Sequence, residues 1–256
     1  MRRWPALLTL LALAAAPALA LDDPRQDPYF ANPALRDLMD WACFRLSFEA
    51  ESFVPDMAAG DYKFSVTGTP RFAPGVKGQA LVAGGPEGSG AAVFPRGGNA
   101  PFETRGAVAL WFCDAGWTHT QGGNTTLLMT SNATFYLQRQ GPWIEGAELK
   151  RAEGLQYLVF GPATGSQCLM YGTNGFKPGE WHLLVANWSW PTMTCSLDGG
   201  EFQSTTTKAP PAPDQFGALC LGATGGEKTL MDELIIFRRP LSLAEVKALY
   251  EALRGK

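Results

Sequence analysis

Histidine is nearly absent from this chain: His119 and His182 are the only two in 256 residues, too few for a multi-histidine metal centre. No C-x-x-C pair occurs, which removes the zinc-ribbon and dithiol redox readings. Neither G-x-S-x-G nor G-x-x-x-x-G-K-S/T is present, so neither a nucleophile elbow nor a phosphate-cradling loop has support. Charged residues make up only 18% of the chain and form no basic cluster. With nothing to neutralise phosphates, nucleic acid is not an expected partner. Long apolar runs are missing as well: beyond the first twenty residues none approaches the roughly 20 that a membrane-spanning helix needs.

Those first twenty, "MRRWPALLTLLALAAAPALA", carry two arginines, an apolar core and a small-x-small ending at Ala18 and Ala20. The pattern is that of a secretory signal over residues 1–20, cleaved after Ala20, with no membrane span left afterwards. A secreted, periplasmic or cell-surface location is expected. Removing the signal takes two of the 21 basic residues, leaving 19 against 24 acidic ones and a net charge of −5. The rest of the chain suits one large all-β domain, since sandwiches and barrels often reach this size as one unit. An odd count of five cysteines leaves at least one thiol unbridged. Their apolar settings ("LWFCD", "ALCLGA") make burial as small hydrophobes the alternative to bridging. Sequons at Asn124, Asn132 and Asn187 matter only in a host that glycosylates.

Glycine and proline, 29 and 19 of them, leave few windows in which a 3.6-residue period can develop. Between them lie fourteen short strand-like runs, among them "GAVALWFCDAGW", "ATFYLQRQ", "LQYLVFG", "EWHLLVANWSW" and "MDELIIFRR". Such runs with turn signals between them predict a two-sheet jelly-roll sandwich. "SLDGGEF" places Asp198-Gly199 at a two-residue hairpin turn, and "KAPPAPDQF" is a stiff loop unable to pair as a strand. In "WHLLVANWSW", Trp181, Leu183 and Val185 share one face while His182, Leu184, Ala186, Trp188 and Trp190 share the other. A strand apolar on both faces is covered on both, or has one face in the core and the other lining a binding surface. Two short helices bracket the sandwich. In the extension 21–41, Asn32 caps a helix with Pro33 in its first turn. At the other end Ser242 and Glu245 form a capping box, Leu241 and Val246 a hydrophobic staple. Leu243, Val246, Leu249, Tyr250 and Leu253 then make one apolar stripe.

Four stretches, in order, resemble the bacterial laminin G-like (LamG), concanavalin A-like jelly-roll family. They are "CFRLSFEAESFVPDMAAGDYKFSVTGTPRFAPGVKGQALVAGG", "FETRGAVALWFCDAGW", "KPGEWHLLVANWSWPTMTCSLDGGEF" and "LCLGATGGEKTLMDELIIFRRPLSLAEVKALYEAL". The resemblance implies an all-β, concanavalin A-like sandwich over residues 42–256. It also implies a structural Ca²⁺ between the first and last strands, with Asp232 as the side-chain ligand and Glu49 at the opposing position. Hard oxygen donors are what that ion requires. The plainer reading has Asp232 capping a turn and Glu233 as a solvated strand residue.

The same jelly roll carries family 16 glycoside hydrolases, whose Glu-x-Asp-x-x-Glu strand is absent here. Glu145 and Glu148, three apart, would point to opposite faces of a single strand. The expectation is therefore a non-catalytic module that recognises carbohydrate or a cell-surface or matrix partner. The alternatives are a hydrolase or lyase of this fold, or a structural module of a surface or periplasmic complex. Because sugar rings stack on aromatic side chains, Trp117, Trp143, Trp188 and Trp190 are the expected ligand-binding residues, against the alternative of core packing. Trp111 and Trp181 belong to the core.

Overall fold

The computed structural model describes residues 27, 31–87, 89–118, 123–145, 148–162, 164–223 and 225–254, without the Trp143 side chain. The expected signal segment and His119 lie outside the described residues. Among the described residues the first element is helix α1 (Pro33–Met39), followed by β1 (Ala42–Leu46), β2 (Met57–Ala58), β3 (Ser65–Thr67), β4 (Phe72–Pro74), β5 (Gln79–Ala83) and β6 (Ala91–Phe94). Next come β7 (Arg105–Asp114), β8 (Thr125–Thr130), β9 (Phe135–Gln140), β10 (Trp143–Glu145), β11 (Glu148–Arg151), β12 (Gly154–Gly161) and β13 (Gly165–Tyr171). The last elements are β14 (Trp181–Ser189), β15 (Thr192–Leu197), β16 (Gln203–Thr206), β17 (Leu219–Gly222), β18 (Thr229–Phe237) and helix α2 (Leu243–Leu253).

These strands build the two-sheet, all-β sandwich that the sequence predicts. The nine-stranded sheet has the order β16-β15-β14-β7-β18-β1-β2, with β5 also on β18 and β4 on β5. The seven-stranded sheet has the order β13-β12-β9-β8-β17-β6-β3, and β10–β11 forms a separate two-stranded arm. Alternation along the strands decides what lies between the sheets. From the first sheet Val108, Leu110, Phe112, Leu184, Ala186 and Trp188 enter the shared core; from the second come Phe135, Leu137, Tyr157 and Val159. The turn at Asp198-Gly199 forms as expected, with φ of 53° and 73° at its two residues, the left-handed region that a primed turn demands.

The opposite face of the nine-stranded sheet is also apolar, and both helices pack on it. Trp111, Leu183, Val185, Ile235 and Phe237 meet Leu35 and Leu38 of α1 and Val246, Leu249 and Leu253 of α2 in one buried cluster. Helix coverage accounts for a strand such as β14 being apolar on both sides. Asn32 Oδ1 accepts from the Ala34 amide at 3.0 Å, and the Ser242–Glu245 capping box is present. Asn187, one of the sequons, is buried; its amide donates to the Leu241 carbonyl and its oxygen accepts from the Leu241 N–H, each at 3.0 Å. That pair fixes the strand-to-helix connection at the staple residue.

Glu245 also pairs with Arg239 at 2.5 Å. The Arg239 hydrogen bond holds its carboxyl down to about 2, from 4.5, against the opposing effect of burial. A carboxyl depressed in the folded state stabilises the fold above its unfolded value and loses that contribution as pH falls through the folded one. Stability is therefore expected to drop between about pH 4.5 and 2, and Glu245→Gln should flatten that part of an acid-unfolding curve.

Candidate functional site

Strand β18 changes neighbours half-way along. Thr229–Met231 pair with β5, whereas Leu234–Phe237 pair with β1. At the fork sits a β-bulge: against β7, Asp232 faces Trp111 but Ile235 faces Ala109, one residue more than the partner strand provides. Met231 and Leu234 consequently both reach the inter-sheet core, and Glu233 takes φ of 45°. A bulge re-aims side chains, and here it buries two neighbouring carboxylates, with Asp232 at 0% and Glu233 at 1% exposure. Glu233 is thus not the solvated residue of the plainer reading.

The turn between β4 and β5 plugs the gap. Asp232 Oδ2 accepts from the Lys77 amide at 3.1 Å and Oδ1 from the Glu233 amide at 2.8 Å. Gly75 has no room for a side chain, since a Cβ would lie 2.3 Å from Asp232 Oδ2. Burial, with Glu233 alongside, pushes the Asp232 carboxyl up to about 8 despite those two amides. Glu49 Oε2 accepts from the Gln79 amide at 3.3 Å. Two cations complete the cluster. Arg45 lies 3.0 Å from Glu233 and 2.7 Å from Asp27, while the Lys77 ammonium lies 2.7 Å from Asp27, 3.1 Å from Glu233 and 3.9 Å from Glu49.

Calcium takes six to eight oxygens, and the residues at this fork do not fit it. Three of the carboxylates already face an ammonium, and both oxygens of the fourth accept amide hydrogens. Among the described residues no group of three or more His, Cys, Asp or Glu is disposed to hold a metal. Asp232 and Glu49 do lie at one junction, as the sequence resemblance implies. What it missed is Lys77 and Arg45, whose charged ends already pair with Glu49, Glu233 and Asp27 there.

Of the four tryptophans, Trp188, Trp117 and Trp190 pack in or against the inter-sheet core. Trp188 is 0% exposed, donates Nε1–H to the Pro101 carbonyl at 3.1 Å and packs among Phe102 and Phe135. Trp117 is also buried; Phe112 and Phe176 stack with its ring, Arg139 lies 5.1 Å from its centroid, and its Nε1–H reaches Thr229. Both are core residues because no ring face is left for a sugar. Trp190 is half-buried, stacked with Phe216 and bonded to the Phe102 carbonyl. The side chain of Trp143 lies outside the described residues.

The outer face of the other sheet is built differently. The outer face of the seven-stranded sheet is not covered by either helix, since both pack on the other sheet. Across it the register aligns Val93, Cys220, Met129, Tyr136, Leu158 and Cys168 in one continuous row over six strands. Beside this row lie Met170, which is exposed, and Gln138 and Gln156, each only 9% exposed, with Gln138 Nε2 donating to Gln156 Oε1 at 2.7 Å. Tyr136 and Phe160 form an edge-to-face pair with centroids 5.7 Å apart. Beyond the strand ends, below the β10–β11 arm, is a cavity of ≈ 420 Å³ lined by Pro142, Ile144, Leu149, Ala152, Glu153, Gly172 and Asn174. Arg139 anchors its wall, bonding Glu153 at 3.2 Å and pairing with Glu227.

No Asp or Glu occurs in any of the seven strands. Glu145 and Glu148 are not on one strand as the sequence spacing assumed: they oppose each other across the arm. Both are largely exposed, and Lys150 lies 3.9 and 2.6 Å from them. All five cysteines are free and only Cys168 is exposed. Burial pushes the Cys43 and Cys113 thiols up to about 12 and about 11, leaving them neutral fillers of the core rather than nucleophiles.

The family model Laminin_G_3, of the concanavalin A-like lectin/glucanases superfamily, matches residues 89–247. Similar solved structures include the receptor binding domain of botulinum neurotoxin C/D mosaic serotype, at TM-score 0.65 and 11% identity over 83% of this chain. Another, described by the dependence of botulinum neurotoxin type C cell entry on two ganglioside molecules, has TM-score 0.66 and 11% identity over 86%. A third is the binding domain of botulinum neurotoxin DC in complex with rat synaptotagmin II, at TM-score 0.64 and 11% identity over 84%. This chain spans about half of each of those chains, 51%, 53% and 52%, and at such identity the likeness is one of fold. No curated protein matches the sequence.

Proposed function

Since the chain belongs to the concanavalin A-like lectin/glucanase superfamily, with a Laminin_G_3 domain, we propose that it is a non-catalytic recognition module binding a glycan on the outer face of its seven-stranded sheet. The observation that carries this reading is the asymmetry of the sandwich: one outer face is sealed by two helices, while the other presents a row of apolar and aromatic side chains flanked by paired amides. Amides can bond sugar hydroxyls as both donor and acceptor, and aromatic rings pack against the apolar side of a pyranose. Hydrolysis of a glycosidic bond needs two carboxyl groups about 5–9.5 Å apart, and the strands of this face contain none. The receptor-binding character of the structural relatives agrees with recognition, and the signal-like leader with work outside the cell.

A glycan array tests it. The double substitution Gln138→Ala/Gln156→Ala is expected to lower apparent affinity for the bound glycans by at least about tenfold, the loss of one or two hydrogen bonds at a partly dry site. Its thermal midpoint should stay close to that of the parent. Unchanged array binding by the variant refutes the assignment of the face. A parent that captures no glycan but retains a cell-surface protein favours a protein partner instead.

A further inference from the structure

At the fork of β18 the charges are arranged around a side chain, and that side chain belongs to the chain itself. The Lys77 ammonium has three carboxylates within 4 Å: Asp27 from the N-terminal segment, Glu233 from the bulge and Glu49 from the loop after β1. Its own amide is committed to the fourth, Asp232. The turn that carries it is shaped for this position. Gly78 takes φ of 54°, and a Cβ there would collide with the Glu49 carboxylate at 1.7 Å, while Gly75 gives the same clearance to Asp232. Both glycines therefore let carboxylates close onto the turn, with the lysine between them. Burial alone would pull the lysine's affinity for its proton down, but Glu233 and Asp27 outweigh it and hold the group above its ordinary value.

We propose that Lys77 is the resident cation of this junction: its ammonium joins the N-terminal segment, the β4–β5 turn and the closing strand, making the sandwich independent of divalent metal there. Arg45 neutralises Glu233 and Asp27 from the strand side, and Lys77 does so from the turn side, where a hard ion would otherwise have to collect the same oxygens. The cross-link runs between residues 27, 77 and 233, far apart in sequence, so it closes long loops whose ordering costs entropy.

The test uses the full chain and calcium chloride alone as probe. Thermal midpoints of the parent are expected to be the same in millimolar calcium and in EDTA, and calorimetric titration should show no calcium binding. Lys77→Ala frees the space of the stem together with the three carboxylates. It should melt lower in EDTA, and calcium should raise its midpoint, measurably above any change in the parent. If Lys77→Ala does not fold in EDTA, refolding it in calcium reads the same property. A parent stabilised by calcium overturns the proposal. So does a Lys77→Ala protein that melts like the parent, or one that is destabilised but indifferent to calcium, since the lysine would then contribute packing rather than charge.

Discussion

Replacing Trp188 by alanine is expected to destabilise the sandwich by about 3–5 kcal/mol, the range for deleting a large aromatic side chain from a packed core. The ring is fully buried between the sheets, tilted against Phe102 and edge-on to Phe135. Gly106 lies directly beneath it, since a Cβ there would stand 2.4 Å from the Trp188 ring. No neighbouring side chain on that strand can swing into the space, so the cavity stays open and the cost stays near the top of the range. For a domain of this size the thermal midpoint should fall by roughly 6–20 °C. Urea unfolding checks it directly. A surface tryptophan used for stacking would behave in the opposite manner, losing ligand while stability moved within about 0.5 kcal/mol.

Arg45→Met is the second large effect, expected to cost about 3–5 kcal/mol because it strands a buried charge. Glu233 has a side chain with no exposure, and Arg45 is itself almost fully buried. Methionine fills much of the volume of the stem but leaves the buried Glu233 with Lys77 as its remaining ion-pair partner among the described residues. Lys77 is a quarter exposed, so water already shares in its interactions and its removal should cost less than that of Arg45. The ranking Arg45→Met above Lys77→Ala in unfolding free energy is therefore expected. The loss on Arg45→Met should be nearly the same at low and high ionic strength, since a buried pair is poorly screened. A cost below about 1 kcal/mol, typical of surface pairs, would show that the fork is solvated in solution.

Much of the architecture could be read from alternation. Strand β14 assigns Leu184 and Ala186 to one face and Leu183 and Val185 to the other, and the two buried clusters divide in that way. The same count already placed Trp188 with Leu184 and Ala186, so the period of the strand spoke against a sugar-stacking role that residue type alone suggested. The face proposed for binding was legible in the same manner: "FYLQRQ" and "LQYLVF" bury Phe135, Leu137, Tyr157 and Val159 between the sheets and put Tyr136, Gln138, Gln156 and Leu158 on the other face. It escaped notice because glutamine and tyrosine carry no motif. Glu233 was misread for a physical reason. Strict alternation lets only one of two adjacent residues face a given side, and the bulge that buries both acidic residues is invisible to a two-residue period. Lys77 lies more than 150 residues from Glu233 in the chain, and only the pairing of β18 with β5 and then β1 brings them together. Glu145 and Glu148 face each other because β10 and β11 pair antiparallel, which the spacing by itself did not reveal.

The central claim, recognition on the outer face of the seven-stranded sheet, has a direct test in Cys168. It lies on that face opposite Leu158, and it is the one exposed thiol among five free cysteines. Burial of part of the side chain raises its thiol above the ordinary value, so a bulky maleimide should be reacted at mildly alkaline pH, where the thiolate fraction is larger. Labelled and unlabelled protein are then compared on the same glycan array. The expected result is binding by the unlabelled protein and its loss on labelling, with the thermal midpoint retained. Binding that survives a fully labelled Cys168 would contradict the account and move recognition to another surface of the sandwich.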